Sequence, residues 1–384
     1  MLSLYVHIPF CRRRCRYCDF ATQVVDQDLL DPYLTALLAD IKSLRALCAT
    51  TTLTSVYLGG GTPLLLGIDR LMQLLAAITC AWQLSSDCEI TLEVNPQDIT
   101  QEELRTLRQA GVNRLSIGAQ SFSDRILRLL GRRHENSDVD RVVAAARRAG
   151  FENINLDLIY AIPSQTMAEW RESLQRVQKL APEHISTYGL HIAPQTPFGR
   201  AKKRGILPAA PTEDEVAGMW EWGHEFLAQA GYDHYEVSNF AWPGWECRHN
   251  LRYWHNKEYL AIGAAAHGYW QGWRWRNSLS TQNYIASFQT KLNGPFPTGH
   301  FPVAESDFVT ATEAYIETMI LGLRLSAGVN LAAVAARHGR PVTEAFPGAV
   351  ECLLENGLCD IDAGSLRPTR KGLLLQNEIC LHFV

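Results

Sequence analysis

The feature that most restricts the fold is the alternation of β-rich and amphipathic helix-like segments over residues 1–192. This alternation favours right-handed crossovers, which place the strands parallel in one sheet. Six units are too few for a closed eight-stranded barrel, so we expect an open partial barrel or a doubly wound sheet. The predicted strands are Leu4–Ile8, Ser55–Leu58, Glu89–Val94, Arg114–Ile117, Asn153–Ile159 and His184–Leu190. Helices are predicted between them at Pro32–Leu47, Gln101–Ala110, Asp138–Ala149 and Met167–Leu180, with Gly111 and Gly150 as helix-ending glycines.

The chain changes character after residue 193, where prolines interrupt regular structure. We then expect a helix that is capped by Thr212 and runs to Gly231. Eight of the ten tryptophans lie within residues 220–275, and residues 293–302 read as a linker rich in glycine and proline.

The C-terminal segment has the pattern of a winged-helix module. From Ser306 onward it predicts three helices, two short strands around Gly364 and a last helix. Because its basic residues are not concentrated on one helix, we expect structural packing and no nucleic-acid binding. The predicted domains are residues 1–192, 193–300 and 301–384.

Three cysteines, Cys11, Cys15 and Cys18, follow the first predicted strand. Thiolates at this spacing can surround one inorganic centre. A [4Fe–4S] cluster usually takes four thiolates, so three leave one iron open, as a site that touches a substrate requires. The alternative is a zinc site with His7 as the fourth ligand, although the usual second ligand pair is missing. The other cysteines are scattered, which is typical of buried thiols in a reducing compartment.

Composition argues against several classes of protein. A net charge of −4 does not suggest a protein that coats nucleic acid. No uninterrupted apolar run reaches about 18 residues, so we expect no membrane span and at most peripheral membrane association. Since the cysteine motif begins at residue 11, we also expect no signal peptide. The expected location is the cytoplasm.

Glycines and polar residues stand where the predicted strands end. The segment Gly59-Gly60-Gly61-Thr62-Pro63 follows the second strand, and its glycines allow a ligand to approach the backbone closely. Glu93, Gln120 and Asp157 lie at or near the ends of the next three strands. Each one alone is compatible with a cap or a tight turn. Together, at the ligand-binding edge of a parallel sheet, they predict one pocket.

A family resemblance is carried by the segment Tyr5-Val-His7-Ile-Pro9-Phe10-Cys11-x₃-Cys15-x-Tyr17-Cys18-Asp19-Phe20. It resembles the opening of the radical S-adenosylmethionine (SAM) proteins related to oxygen-independent coproporphyrinogen III oxidase. The motifs at 59–63, 118–121 and 155–160 match the same family in order, so the resemblance spans nearly the whole chain. It implies a partial (β/α)₆ barrel with a cysteine-held [4Fe–4S] cluster and SAM on the open iron. Reductive cleavage of SAM then yields methionine and a 5′-deoxyadenosyl radical.

The resemblance also implies which residues bind SAM. Tyr5, Gly60 and Glu93 match positions that line the cluster-bound SAM. The positions that contact a second SAM in the oxidase are matched by Gly61, Thr62, Gln120, Arg132 and Asp157.

Two departures separate the chain from the oxidases. Phe20 stands where their motif has a fourth cysteine, and only ten residues precede Cys11, so we expect no N-terminal arm over a porphyrinogen. Both departures resemble the heme-chaperone branch of the family. The oxidase remains the alternative interpretation.

A further motif, His249-Asn250-Leu251-Arg252-Tyr253-Trp254, matches the H-N-x-x-Y-W signature that the chaperone branch associates with heme binding. Imidazole is a usual axial ligand of heme iron, and the aromatic residues offer flat apolar faces. Aromatic packing in a core is the alternative for this segment. The resemblance implies that His249, Asn250, Tyr253 and Trp254 bind heme for delivery to apo-heme proteins.

Four arginines, Arg12, Arg13, Arg14 and Arg16, lie among the ligand cysteines. Positive charge near a cluster favours its reduced state. It also suits an acidic electron donor such as a flavodoxin, although a solvated basic loop explains the same residues.

Overall fold

The computed structural model describes residues 1–289 and 303–384. Over residues 1–192 it alternates strands and helices as predicted, with short 3₁₀ turns at Gln27–Leu29 and Pro63–Leu66. A helix that was not predicted follows at Pro197–Lys203, inside the segment where prolines were expected to interrupt regular structure. The elements are β1 (Leu2–Ile8), β2 (Phe10–Cys11), β3 (Gln23–Val24), α1 (Leu30–Leu47), β4 (Thr52–Gly60), α2 (Ile68–Ala81), β5 (Gln83–Val94), α3 (Gln101–Gln109), β6 (Arg114–Gln120), α4 (Asp124–Leu130), α5 (Asn136–Arg148), β7 (Asn153–Tyr160), α6 (Met167–Leu180), β8 (His184–Gly189) and α7 (Pro197–Lys203).

The rest of the chain consists of shorter elements. They are α8 (Glu213–Gln229), β9 (Asp233–Glu236), β10 (Asn239–Ala241), α9 (Arg248–Trp254), β11 (Leu260–Ile262), β12 (His267–Trp270), β13 (Trp273–Asn277), α10 (Thr281–Gln289), β14 (Val303–Phe308), α11 (Ala311–Gly322), β15 (Val329–Asn330), α12 (Leu331–His338), α13 (Val342–Ala345), α14 (Ala349–Glu355), β16 (Cys359–Asp362), β17 (Ser365–Pro368), α15 (Arg370–Leu374) and α16 (Gln376–Leu381).

A nine-stranded sheet forms the centre of the molecule, in the order β11-β1-β4-β5-β6-β7-β8-β10-β9. The six predicted strands, β1 and β4 to β8, are its parallel middle. This confirms the partial barrel. Sequence analysis missed the flanking strands: β11, which runs parallel to β1, and the antiparallel pair β10 and β9. These strands are three or four residues long, which is too short to show a period of two.

Local signals explain where the helices begin and end. Thr100, Thr166 and Thr212 each form a capping box with the glutamate three residues later, so two backbone donors at each N-terminus are satisfied. Gly111 and Gly150 follow α3 and α5 with φ of 99° and 89°, a conformation that strongly favours glycine. Both helix-ending glycines are therefore confirmed.

The C-terminal residues have a core of their own around Met319, Leu353 and Leu366. A small sheet, β15-β17-β16, is flanked by α11 to α16. This agrees with the winged-helix pattern apart from β15, the short α13 and the division of the last helix into α15 and α16. Strand β14 instead pairs with β13 of the tryptophan-rich segment. The predicted linker at 293–302 and the domain boundary at 300 lie outside the described residues, so the domain limits stay predictions. Across the described ranges, no helix is long and apolar enough to cross a membrane.

A buried carboxyl joins the outer helices to the sheet. Asp40 in α1 accepts hydrogen bonds from Tyr284 Oη at 2.7 Å and from the Gly263 amide at 3.4 Å. Tyr33, also in α1, donates to the carbonyl of His7 at the end of β1. Burial raises the pKa of Asp40 to about 7. Between about pH 4 and pH 7, the folded protein therefore retains a proton on Asp40 that the unfolded chain releases.

We expect Asp40→Asn to stabilise the protein at pH 8 but not at pH 4. Between about pH 4 and pH 7 the unfolded chain ionises Asp40 while the folded protein does not, so wild-type stability falls as pH rises. An amide removes that dependence, and the gain at pH 8 should reach about 2–4 kcal/mol. Denaturant unfolding from pH 4 to pH 8 measures it, with the exposed Asp233→Asn as control. Identical pH profiles for wild type and Asp40→Asn would contradict the assignment.

Candidate active site

A cavity of about 480 Å³ opens at the carboxyl ends of β4 to β7 and beneath the cysteine loop. Most of the site residues predicted from sequence meet there. Its lining includes Cys11, Cys15, Cys18, Gly60, Gly61, Thr62, Glu93, Gln120, Arg132 and Asp157. Tyr5 does not line it: this residue lies deeper in the barrel, where its hydroxyl is 3.0 Å from His7 Nδ1.

Backbone contacts hold the cysteine loop over the cavity. Cys11 ends β2, and its carbonyl accepts from the Val25 amide at 2.9 Å. The amide of Arg16 donates to the Leu130 carbonyl at 2.9 Å, which attaches the far side of the loop to α4. Burial and the neighbouring cysteines raise the pKa of Cys11 to about 11. Iron binding must therefore displace a proton from this thiol.

The residues around the loop fit an iron–sulfur cluster better than the zinc alternative. His7 was the candidate fourth zinc ligand, but its Nε2 is 3.0 Å from the Ala21 carbonyl and its Nδ1 faces Tyr5. Both ring nitrogens are thus already hydrogen-bonded. Three thiols on one cavity wall suit a cluster, which binds each thiolate at a different iron.

The glycine segment after β4 brings its backbone against the cysteine loop. A Cβ on Gly61 would lie 2.5 Å from the Phe10 carbonyl oxygen and 3.0 Å from Cys11 Sγ. Gly60 has φ of 112°, and a Cβ there would lie 2.6 Å from the His7 ring. These glycines therefore lie directly against the cysteine loop and the His7 ring. The approach of a ligand to their backbone stays a prediction.

Glu93 lies beside this backbone and is fixed at both oxygens. The Gly60 amide donates to Oε2 at 3.0 Å, and the Tyr57 hydroxyl donates to Oε1 at 2.9 Å. Burial and the nearby Asp157 raise the pKa of Glu93 to about 7. Because a cation would favour the ionised form, a positively charged amino group is a suitable ligand for this carboxyl.

Arg132 connects the thiols to the opposite wall. Its guanidinium donates to Asn95 Oδ1 at 2.7 Å and to the Gly118 carbonyl at 2.8 Å, and it lies 3.8 Å from Cys15 Sγ. Arg133, its neighbour, is exposed. Gln120 has φ of 64°, a conformation uncommon outside glycine and often found at functional sites.

Several cavity residues were missed by sequence analysis, notably Tyr57, Ser116 and Tyr188. Ser116 donates to Asp157 Oδ2 at 3.1 Å, and Asn95 donates to Thr62 Oγ1 at 2.7 Å. Tyr57 and Ser116 could have been found from the sequence, because every second residue of a strand faces the same side. Tyr57 shares a strand face with Gly59, and Ser116 shares one with Gln120.

The heme motif forms α9, at the opposite end of the strands from the cavity. His249 is 1% exposed, with Nδ1 2.9 Å from Ser55 Oγ and Nε2 2.8 Å from the Tyr253 hydroxyl. Burial lowers the pKa of His249 to about 3, so the imidazole is neutral. The structure thus places this histidine inside the floor of the barrel, with both ring nitrogens hydrogen-bonded.

The other motif residues differ in their surroundings. The Tyr253 ring meets the His249 ring edge-on at 5.1 Å, and Asn250 is half-buried. Trp254 packs under the guanidinium of Arg324 at 4.6 Å, which joins α9 to the segment after α11. The motif therefore joins the barrel floor, through His249, to the segment after α11, through Trp254.

Comparisons with known proteins agree with this geometry. A family model of the radical SAM superfamily matches residues 5–177, and one of the HemN C-terminal domain matches residues 309–375. The structure is similar to coproporphyrinogen III oxidase (HemN) from Escherichia coli, with a TM-score of 0.85 and 26% identity, covering 100% of this chain and 89% of that one. The barrel, the cysteine loop and these matches define a radical SAM protein.

Two curated relatives identify the branch. Heme chaperone HemW from Bacillus subtilis is 38% identical, covering 99% of this chain and 98% of its own length. Heme chaperone HemW from Lactococcus lactis is 34% identical, covering 100% and 97%. The chain belongs to the HemW family. The resemblance inferred from the motifs is confirmed.

We expect Gly61→Ala to disturb both the cluster and the SAM pocket, because its methyl group would displace the Phe10 carbonyl and the Cys11 thiol. Overpacking of this size should weaken SAM binding about tenfold and lower the iron content. Iron and sulfide analysis and a SAM titration of the reconstituted protein measure the two effects. Gly218→Ala is the matched control, because its Cβ would meet nothing closer than 3.7 Å. Equal iron content and SAM affinity in both variants would exclude the proposed constraint.

Proposed function

We propose that this protein is a heme chaperone: it carries a [4Fe–4S] cluster, binds SAM beside it and delivers heme to apo-heme proteins. The observation that carries the proposal is similarity over the full chain to heme chaperones at 34–38% identity. We also propose a cytoplasmic location, since a reducing compartment would keep its ten cysteines, all free in the structure, as thiols.

The cavity supports the cofactor part of the proposal. Cys11, Cys15 and Cys18 would hold the cluster. The ionised form of Glu93 and the backbone of Gly60 would orient the amino group of SAM. When bound, the cluster supplies an electron and an open iron position to SAM. The protein fixes the geometry through the close approach of Gly61 to the loop.

We propose that heme binds at α9 through the motif residues. His249 is the motif imidazole, but the structure holds it between Ser55 and Tyr253. Coordination of iron by His249 therefore requires α9 to move, so that the imidazole loses its hydrogen bonds to Ser55 and Tyr253. Trp254 and Tyr253 would supply flat apolar contact once the helix moves.

The alternative function is oxidative decarboxylation of coproporphyrinogen III, and the structural similarity to HemN supports it. Phe20 argues against this activity, because it stands where the oxidase motif has a fourth cysteine. Its side chain is 60% exposed at the cavity mouth. Anaerobic incubation with coproporphyrinogen III and a reductant separates the two. Formation of protoporphyrinogen would favour the oxidase.

The mouth of the cavity carries exposed arginines, which suit a partner with an acidic surface. Arg12, Arg13 and Arg14 line it and are exposed. Arg12 pairs with Asp98 at 2.7 Å, which holds one of the three in place. We propose that an acidic electron donor such as a flavodoxin docks at this rim, where complementary charge accelerates association.

We expect the anaerobically reconstituted wild type to contain about four irons per chain. Cys15→Ala should lose most of them, because two cysteines cannot retain a cluster that already lacks a fourth thiolate. Iron, zinc and sulfide analysis gives the result. Cys80→Ala is the control, since this exposed thiol lies on α2 outside the site. A full cluster in Cys15→Ala, or zinc in place of iron, would refute the cluster assignment.

The heme assignment is tested by two substitutions at one hydrogen bond. Tyr253→Phe removes only the hydroxyl that holds His249 Nε2, so heme should bind about twofold to tenfold more tightly. His249→Ala should instead lose the wild-type Soret band while keeping its iron–sulfur content. Soret titration, followed by transfer to an apo-heme protein, measures both steps.

His255→Ala is the discriminating control, since this exposed imidazole directly follows the motif. If only His255→Ala changes the Soret band, the iron ligand is His255. If the wild type binds no heme or transfers none, the chaperone function is rejected.

A further inference from the structure

A second cavity, of about 510 Å³, lies under the barrel floor at the amino ends of the strands. It is separate from the cluster cavity and shares no lining residue with it. Its walls are mainly basic and apolar. The lining residues are Met1, Thr54, Arg248, Leu251, Arg252, His255 and Lys257.

One face of α9 and the residue that follows it supply most of this lining. Arg248, Leu251, Arg252 and His255 recur at spacings of three and four residues, so they share one side of the helix. His249 faces the barrel interior instead, where it meets Ser55. The heme motif thus has a buried face and an open basic face.

The basic groups of this face are only partly neutralised. Arg248 forms a salt bridge with Asp87 at 2.6 Å. Arg252 donates to the carbonyls of Glu258 and Met1, and burial lowers its pKa. Over the described ranges, neither Arg252 nor Lys257 forms a salt bridge. A desolvated guanidinium of this kind gains from an anionic ligand.

We propose that this pocket binds the propionate carboxylates of heme through Arg252 and Lys257. The inference rests on the proposed chaperone function and adds to it the place where the anionic edge of heme is recognised. Heme is a flat apolar macrocycle with two carboxylates on one edge. The pocket offers the complementary groups, since the cations of Arg252 and Lys257 lie beside the apolar Leu251. A guanidinium pairs with a carboxylate in a well-defined geometry, whereas the exposed lysine adds charge. The buried His249 is not needed for this contact.

The experiment compares hemin with its dimethyl ester in Soret titrations of the full chain. Both compounds present the same iron and macrocycle, so only the carboxylates differ. Wild type should bind hemin more tightly than the ester. Lys257→Gln should weaken hemin binding about twofold to fivefold, and Lys257→Glu should weaken it further, with little change for the ester. Arg252→Gln should behave like Lys257→Gln, provided that its thermal unfolding matches the wild type.

Lys179→Gln is the matched control, because Lys179 is an exposed lysine on α6, away from the pocket. The inference is overturned if wild type binds the ester as tightly as hemin, or if the Lys257 variants keep wild-type hemin affinity. If the wild type binds neither compound, the chaperone function itself fails and the inference fails with it. Loss of both compounds in Lys257→Gln alone would also overturn it, since that result indicates a general effect on the pocket.

Discussion

The close approach between the Gly61 backbone and the cysteine loop is the constraint on which the site depends. The Gly61 amide donates to the Ile8 carbonyl at 2.8 Å, and Thr62 donates to Phe10 at 2.7 Å. These bonds hold the loop against the end of β4, so the position of Cys11 follows from strand pairing. Since a Cβ on Gly61 would overlap the Phe10 carbonyl, only glycine permits this arrangement. Backbone geometry, and not side-chain packing alone, therefore sets the place of the cluster.

The interior of the barrel is polar, in contrast to the apolar filling of closed barrels. Arg114 is 2% exposed and Asp157 lies near it, so charges are buried along the barrel axis. Such groups destabilise a fold unless they are paired and hydrogen-bonded. Another polar side chain of the interior, Tyr57, lies near both ends of the strands. Tyr57 donates to Glu93 at the cavity, and its ring lies 5.2 Å from the His249 ring at the floor.

How far the sequence predicts the structure depends on the range of the interactions involved. The six central strands and their helices follow from local periodicity and caps, and the pocket follows from the ends of parallel strands. Tyr5 lies below the cavity because a period of two fixes a side of the strand but not a depth. The burial of His249 depends on Ser55, 194 residues away in the chain. A motif of six residues contains no signal for that contact, so the accessibility of its histidine could not be predicted.

The cluster cavity and α9 lie at opposite ends of one set of strands. SAM at the carboxyl ends and heme at the amino ends would not compete for space, so an effect of SAM on heme binding must be transmitted through the protein. Tyr57 contacts both Glu93 and His249. Coupling of this kind is reciprocal, because any free energy by which SAM changes heme affinity equals that by which heme changes SAM affinity. In the proposed function, the contact between Tyr57 and His249 is where such coupling would pass from the cluster cavity to α9.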